Sequence, residues 1–260
     1  MRFRRILLPT IPIASFFLGW QILSTVEWIN PGIFPPPSII LEEILNLLKS
    51  GASDEPLLVG HFLMTIRRLF LAASIGTLTG IAAGLFMGIS KHFYRFFDPL
   101  VTLLMPIPGI AMAPLFIVWL GFGDTTIIAI GAIAAFFPLA YNTATGVRSV
   151  NVQLLRAARI TGAGFRRILA HVYLPWAFVY LLTGAKLALA RCWRTIIAVE
   201  LIAAADRGLG FMVWDAAEHL NAAVVFGGII LMSLTYISIE RGLIRPLERI
   251  TIEKWGMISH

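Results

Sequence analysis

The sequence predicts an all-α integral membrane protein of about six transmembrane helices, and three observations carry that prediction. Charged residues make up 13% of the 260 residues and hydrophobic ones 58%, against about 25% charged in an ordinary soluble domain. Six runs, at about 6–28, 69–89, 99–120, 125–146, 176–204 and 222–240, are long and apolar enough to cross a bilayer. Barrel strands would instead alternate over roughly ten residues. The third observation is where the basic residues fall. With the N-terminus in the cytoplasm, fourteen of the 21 Lys and Arg lie on the inner side, within 2–5, 91–95, 148–167 and 241–254, and the outer loops hold two, Lys49 and Arg207. Basic excess marks the cytoplasmic face, so both termini are expected there, and the net charge of +7 records topology rather than a nucleic acid partner. Six spans with short connections leave no room for a separate soluble domain, so residues 1–260 read as one transmembrane domain in membrane lipid.

The first span has a longer apolar run than a cleaved signal peptide, contains Pro9 and Pro12, and ends at VEWINPG without a small-residue cleavage site; it is expected to be a retained helix. Pro35, Pro36 and Pro37 then enforce an extended approach. Ser38 is expected to cap a short helix whose residues Ile40, Leu41, Ile44, Leu45, Leu47 and Leu48 crowd one side, lying along the outer leaflet or over the bundle. The second span carries Gly76, Gly80, Gly84 and Gly88 at spacings of four, a flat stripe that lets a neighbouring helix approach closely. Arg67 and Arg68, just before it, are expected to anchor at the interface. The third span contains Pro99, Pro106, Pro108 and Pro114. So many prolines break a straight helix, and in lipid the freed carbonyls need neighbours or a wet cavity. A broken helix lining a pathway and a kink that serves packing both fit. Pro106, Pro108, Pro114 and Trp119 are therefore candidates for a translocation path.

Residues 150–175 form the longest polar interruption on the inner side. Leu154, Leu155, Ala157, Ala158 and Ile160 make a first short amphipathic helix, and Thr161-Gly162-Ala163-Gly164 breaks it. Phe165, Ile168, Leu169 and Val172 follow at i, i+3, i+4 and i+7, a second helix with one apolar face, expected to close at Leu174-Pro175. Two short helices on a glycine turn form a knob for a cytoplasmic partner; a charged loop lying on anionic lipid fits the spacing as well.

The segment resembles the cytoplasmic loop of permease subunits of ABC importers, E-A-A, three residues, G, nine residues, I-x-L-P. Here Arg156-Ala157-Ala158, Gly162 and Val172-Tyr173-Leu174-Pro175 keep both gaps, with Arg in place of Glu and Val in place of Ile. PIPGIAMAPLFIVWLGFGD, FPPPSII, AVELIAA, RGLGFMV and LERITIEKWG are similar to the nitrate, taurine, sulfonate and bicarbonate branch of those permeases. The resemblance implies a type I importer-like fold, a second permease copy in a homodimer or pseudo-dimer, an extracytoplasmic solute-binding protein, and two cytoplasmic ATPase subunits that hold the ATP and Mg. It also implies that Arg156, Ala157, Ala158, Gly162, Phe165, Leu174 and Pro175 form the ATPase-coupling surface, with the charge reversed at Arg156.

No G-x-x-x-x-G-K-[ST] segment, His/Cys metal cluster or nucleophile–base pairing occurs in the sequence; no catalytic or metal residue is assigned, and energy must enter from a partner through the loop. Asp54, Asp124 and Glu218 read as loop charges rather than catalytic acids. The fifth span carries Lys186, Arg191, Arg194 and Glu200, and ionisable groups in a membrane face a bundle interior or water. At 100° per residue Lys186 and Glu200 fall within about 40° of each other, and Arg191 points opposite to Glu200. Arg194 and Glu200, the deepest, are the path candidates; ion pairs that join helices are the competing reading. Cations outnumber acids in these spans, which favours an anionic solute. The alternative class is an ion-gradient-driven carrier or channel, against which the single deep acid, Glu200, argues. Cys192, the single cysteine, is expected to pack.

Overall fold

A computed structural model of the chain describes residues 2–26, 30–49 and 57–248. Every regular element among them is helical. In chain order these are α1 (Arg2–Thr25), α2 (Pro37–Lys49), α3 (Leu57–Ile89), α4 (Lys91–Leu104), α5 (Gly109–Leu120), α6 (Asp124–Arg148), α7 (Val152–Ile160), α8 (Phe165–Ile168), α9 (Leu174–Ala203), α10 (Leu209–Glu218), α11 (Ala222–Ile239) and α12 (Arg245–Glu248), with π-helical turns at Leu169–Tyr173 and Glu240–Ile244. Among the described residues four stretches are long and apolar enough to cross a membrane: Leu57–Ile89, Asp124–Arg148, Phe165–Ala203 and Ala222–Leu247. α4 and α5 together make a fifth, bent by 100°. The first expected span falls on α1, with residues 27 and 28, the side chains of 6–10 and that of residue 13 outside the described set, as is Asp54 of the following segment.

Several boundaries depart from expectation for physical reasons. α3 begins at Leu57 rather than near 69, because Arg68 is neutralised inside the protein and need not mark a membrane edge. The prolines of the third span are not equivalent. Pro99 and Pro114 lie inside α4 and α5, whereas Pro106 and Pro108 occupy the break. Two prolines at alternate positions remove two N–H donors and press two rings against the preceding turn, so no helix continues through them. The second helix of the polar loop does not close at Leu174-Pro175. α8 has four residues and runs through the π-turn straight into α9, whose first residues are Leu174 and Pro175. The Leu174 N–H reaches back to the Leu169 carbonyl, an i→i+5 bond. The wider turn makes room for the Pro175 ring beside a carbonyl it would meet in a regular helix. The same device precedes Pro246, where Arg245 N–H bonds to Glu240 O.

The chain packs as two compact units, one of Met1–Met64 and Arg207–Leu234, the other of Thr65–Asp206 and Thr235–His260. In the first, Trp20 Nε1 donates to the Pro35 carbonyl at 3.1 Å and Ser24 Oγ to that of Phe34 at 2.6 Å. Trp20, Phe34 and Phe226 form a mutual ring cluster. α2 starts at Pro37, where a missing N–H costs nothing, and not after a Ser38 cap. Ser38 sits in the first turn, its N–H donating to Gln21 Oε1 and its hydroxyl accepting from Gln21 Nε2. The apolar side of α2 lies over α11, with Ile40 and Ile44 against Gly227.

In the second unit α6 is the central helix. On one side the glycine stripe of α3 meets it turn by turn: a Cβ at Gly76 would lie 2.5 Å from the Ala132 carbonyl oxygen, at Gly80 2.9 Å from that of Phe136, and at Gly84 2.6 Å from that of Ala140. On the other side Gly146 and Gly184 let α6 and α9 close to contact with Tyr180 and Asn142. Close backbone approach on both sides multiplies dispersion contacts, the main adhesive between helices in lipid. Cys192 is buried in this packing, as the sequence implies.

Candidate functional site

Three constellations of the second unit carry chemistry. The first is a cavity of about 380 Å³ at the break between α4 and α5. Its lining comes from Met105 to Ile110 and Met112 at the break, Ile130, Ile133, Ala134 and Phe137 of α6, and Arg191, Arg194, Thr195 and Ala198 of α9. α5 starts tightly against α9, since a side chain at Gly109 would collide with Thr195. Of the path candidates, Pro106, Pro108 and Arg194 therefore share one cavity. Pro114 and Trp119 are on the exposed side of α5 and do not line it. Arg191, set apart in the sequence reading because it points away from Glu200, lines the cavity beside Arg194. The two are three residues apart and hence helical neighbours, a relation visible had they been compared with each other.

The second constellation holds Glu200. Its side chain is 0% exposed, and Arg68, 1% exposed, reaches it through Nη1 at 2.8 Å. The Thr65 hydroxyl donates to both carboxylate oxygens at 3.0 Å. Arg68 also donates from Nε and Nη2 to Asp124 Oδ1, at 2.8 and 2.7 Å, and exposed Arg67 lies 3.8 Å from the other oxygen of Asp124. Gly123 N–H to Ala203 O at 2.8 Å joins the same helix ends. The anchor role expected of Arg68 is thus incorrect: it is a buried tie between α3, α6 and α9. Asp124 is not a loop charge but the first residue of α6, where a carboxylate also suits the helix dipole. Glu200 does not line the cavity. The reading of ion pairs that join helices describes this cluster, and also Lys186, whose Nζ lies 3.6 Å from Glu240 Oε1.

These pairs isolate the cavity arginines. Of the five basic residues in or beside the spans, Arg67 and Arg68 meet Asp124 and Glu200, and Lys186 meets Glu240. Among the described residues Arg191 and Arg194 have no carboxylate partner, and Arg194 Nε donates only to the Ala190 carbonyl, 3.1 Å away.

The third constellation is the polar loop. Asn151 caps α7 by accepting the Gln153 N–H at 2.8 Å. Gly162, at φ +75°, ends it in a left-handed turn, a conformation that costs glycine little. Val150 is buried at the base of the loop, and the Arg148 guanidinium sits 3.9 Å from the centre of the Tyr94 ring. The exposed face of the loop has no ion pair among the described residues. Ile160 is 86% exposed and Phe165 59%, among exposed Arg156, Ala157, Arg159, Gly162, Arg166 and Arg167, with Ala158, Leu174 and Pro175 half-buried. An isolated chain gains nothing by presenting Ile160 and Phe165 to water, and apolar groups rimmed by charge mark an interaction surface.

Comparison with known proteins accords with this geometry. Residues 76–241 match the family model described as binding-protein-dependent transport system inner membrane component. The taurine transport system permease protein of Escherichia coli (strain K12) is 36% identical over 246 residues, 95% of this chain and 89% of that protein. The nitrate import permease protein of Synechocystis is 27% identical over 256 residues, 94% of this chain and 91% of that one. Among solved structures, the inward-facing MetNI methionine ABC transporter aligns with a TM-score of 0.58 at 21% identity, covering 73% of this chain and 95% of the other. That likeness establishes the fold, the helical architecture of a type I importer permease.

Proposed function

The chain belongs to the family of binding-protein-dependent transport system inner membrane components, and from that premise we propose that it forms the translocation path of an ATP-driven importer for a small anionic solute. Its partners are two cytoplasmic ATPase subunits, which bind the ATP and Mg and carry out all hydrolysis, a second permease copy, and an external solute-binding protein. Both termini and the 150–175 loop face the cytoplasm, as the basic bias requires. The taurine and nitrate permeases among the relatives support an anionic cargo, and so do the two unpaired arginines at the cavity.

One observation carries the coupling mechanism. α8, the π-turn and α9 form one unbroken helical stretch, Phe165–Ala203, so the exposed Phe165 at the loop and Arg191 and Arg194 at the cavity sit on a single lever. An ATPase that closes on the loop moves Phe165, and the helix carries that displacement to the cavity wall. α7 and the left-handed Gly162 turn form the other half of the grip. A gradient-driven carrier is disfavoured, because Glu200 is held by Arg68 and Thr65 and does not front the cavity.

The test is co-purification and uptake. Gly162→Val places a β-branched residue at φ +75°, where it is strained, and Ala158→Trp enlarges the face of α7. Each variant is expected to lower ATP-driven uptake in proteoliposomes by at least about tenfold, equivalent to about 1.4 kcal/mol of lost coupling, with the membrane fold retained. Undiminished uptake in both, or no ATPase retained by the wild-type chain, would refute the coupling reading.

A further inference from the structure

We propose that α3, α4 and α6 hold one anionic phospholipid, with an acyl chain in an apolar cavity against α4 and the headgroup phosphate at Lys91, Arg95 and Arg148. The inference goes beyond the transport reading, because it concerns the membrane around the chain and holds for any cargo.

The cavity gives the hydrocarbon half of the ligand. It measures about 330 Å³ and shares only Phe137 with the cavity at the α4/α5 break. Every residue that lines it is apolar, among them Phe86 and Met87 of α3 and Phe93, Phe97 and Leu104 of α4. Phe93 stacks on Phe97 at 5.2 Å, and Phe86 lies 5.9 Å from Phe93. Such a space offers water no hydrogen bond and stays dry, and left empty it forfeits dispersion contacts. Hydrocarbon fills it without either loss. At about 30 Å³ for a water-sized group, there is room for about ten methylenes, a large part of one acyl chain.

The helix gives the level in the membrane. At 100° per residue, Phe93, Phe97, Leu100 and Leu104 fall within about 60° on one side of α4, and Lys91, Arg95 and Thr102 on the opposite side. A helix divided in this way lies at the membrane surface with its apolar side among the acyl chains. Consistent with that, α4 runs at 100° to α5, across rather than along its direction.

Charge gives the headgroup. Lys91, Arg95 and Arg148 are all exposed. Along the helix axis the first two lie within about 3 Å of Phe93, and Arg148 sits 3.9 Å from the centre of the Tyr94 ring beside it. None of the three has a carboxylate within 4 Å among the described residues. Asp98, half-buried, is the one acid of α4, so three cations face a single acid. Exposed basic residues at a bilayer surface attract anionic headgroups, and their long stems follow hydrocarbon while the charged ends reach the phosphate. A zwitterionic lipid brings a cation of its own to that edge. An apolar helix from a second copy of the chain would fill the cavity and leave the three charges unanswered.

The experiment reconstitutes the full chain with its co-expressed ATPase in phosphatidylcholine vesicles. These carry a trace of phosphatidylglycerol with a diazirine at mid-chain or, in parallel, phosphatidylcholine with the same chain. After irradiation, peptide mass spectrometry locates the adducts. Cavity residues of α3 and α4 should take the phosphatidylglycerol probe at least about fivefold more than the phosphatidylcholine one, whereas Phe70 and Leu78, exposed elsewhere on α3, take both alike. The double variant Lys91→Gln/Arg95→Gln should bring the two probes within about twofold at the cavity. Ala83→Phe and, separately, Leu100→Trp fill the space and keep the charges, and each should lower cavity labelling by both probes at least about threefold. Equal labelling of the cavity by the two probes in the wild type overturns the proposal. So does a preference that survives in the double variant, or cavity labelling that neither filling variant lowers. With p-benzoylphenylalanine in place of Phe97, an adduct of lipid mass supports the site, and a crosslink to a second permease copy in its place refutes it.

Discussion

Arg68→Met should be among the most destabilising single substitutions in the second unit, and the neighbouring distances set its size. Arg68 makes three charge-assisted contacts of 2.7–2.8 Å, one to Glu200 and two to Asp124. Its removal leaves the Glu200 carboxylate fully buried with the Thr65 hydroxyl at 3.0 Å. Breaking a buried pair from one side costs about 3–5 kcal/mol, because the surviving charge is stranded. At roughly 2–4 °C per kcal/mol for a chain of this size, the apparent Tm should fall by about 6–20 °C. Glu200→Gln should cost less, about 1–3 kcal/mol, since Arg68 keeps Asp124 and a glutamine oxygen can still accept from it. Asp124 is 33% exposed and water can take over its solvation.

The double variant Arg68→Met/Glu200→Met separates a stranded charge from lost packing. With neither ion present, no uncompensated charge remains buried, and the loss should be smaller than the sum of the two single methionine variants by about 1–3 kcal/mol. Fluorescence-detected size-exclusion thermostability in detergent reads all four proteins. If Arg68→Met melts within 2 °C of the wild type, or the double variant loses as much as the sum, the cluster does not hold α3, α6 and α9 together as argued.

Two further outcomes follow from the packing and from a surface histidine. Gly84→Leu puts a side chain where even a Cβ would lie 2.6 Å from the Ala140 carbonyl oxygen, so overpacking should cost at least about 1–3 kcal/mol, whereas Gly19→Ala, with no atom within 4 Å of the added carbon, should be neutral or slightly stabilising in the same melting assay. His219 ends α10, and its pKa is raised above the ordinary 6.5, first by the hydrogen bond to the Asp215 backbone and then by the Asp215 charge. A raised folded pKa means that the stabilisation from the imidazolium is complete below the unfolded value and lost as pH rises through the folded one. His219→Gln should accordingly lower the melting temperature near pH 5 and leave it unchanged near pH 8.5; equal effects at both would refute a charged role.

Much of the architecture is legible in the sequence because lipid narrows the choices. Hydrophobic length alone locates α6, α9 and α11 to within a few residues, and the spacing of Gly76, Gly80, Gly84 and Gly88 predicts close packing that α6 supplies. The glycine break of the polar loop stands where TGAG predicts it. What the sequence hides is whatever depends on a partner distant along the chain. Arg68 looks like a membrane edge until Glu200, 132 residues away, neutralises it. The Leu174-Pro175 pair looks like a stop, and a π-turn lets the helix run through it.

The same dependence on distant partners separates structural charges from functional ones. In the sequence, Arg67, Arg68, Lys186, Arg191 and Arg194 are five similar cations in apolar surroundings, and depth along the span ranks Glu200 and Arg194 together. In the fold they divide by whether an acid meets them. Asp124, Glu200 and Glu240 neutralise the first three, and the two left over sit side by side on the cavity that Pro106 and Pro108 open. A buried cation with an acid already in place has its interaction satisfied inside the protein and acts as a tie. The pair on the cavity, with no acid against it among the described residues, is left open to water or to an anion from outside, and this difference is what the proposed path rests on.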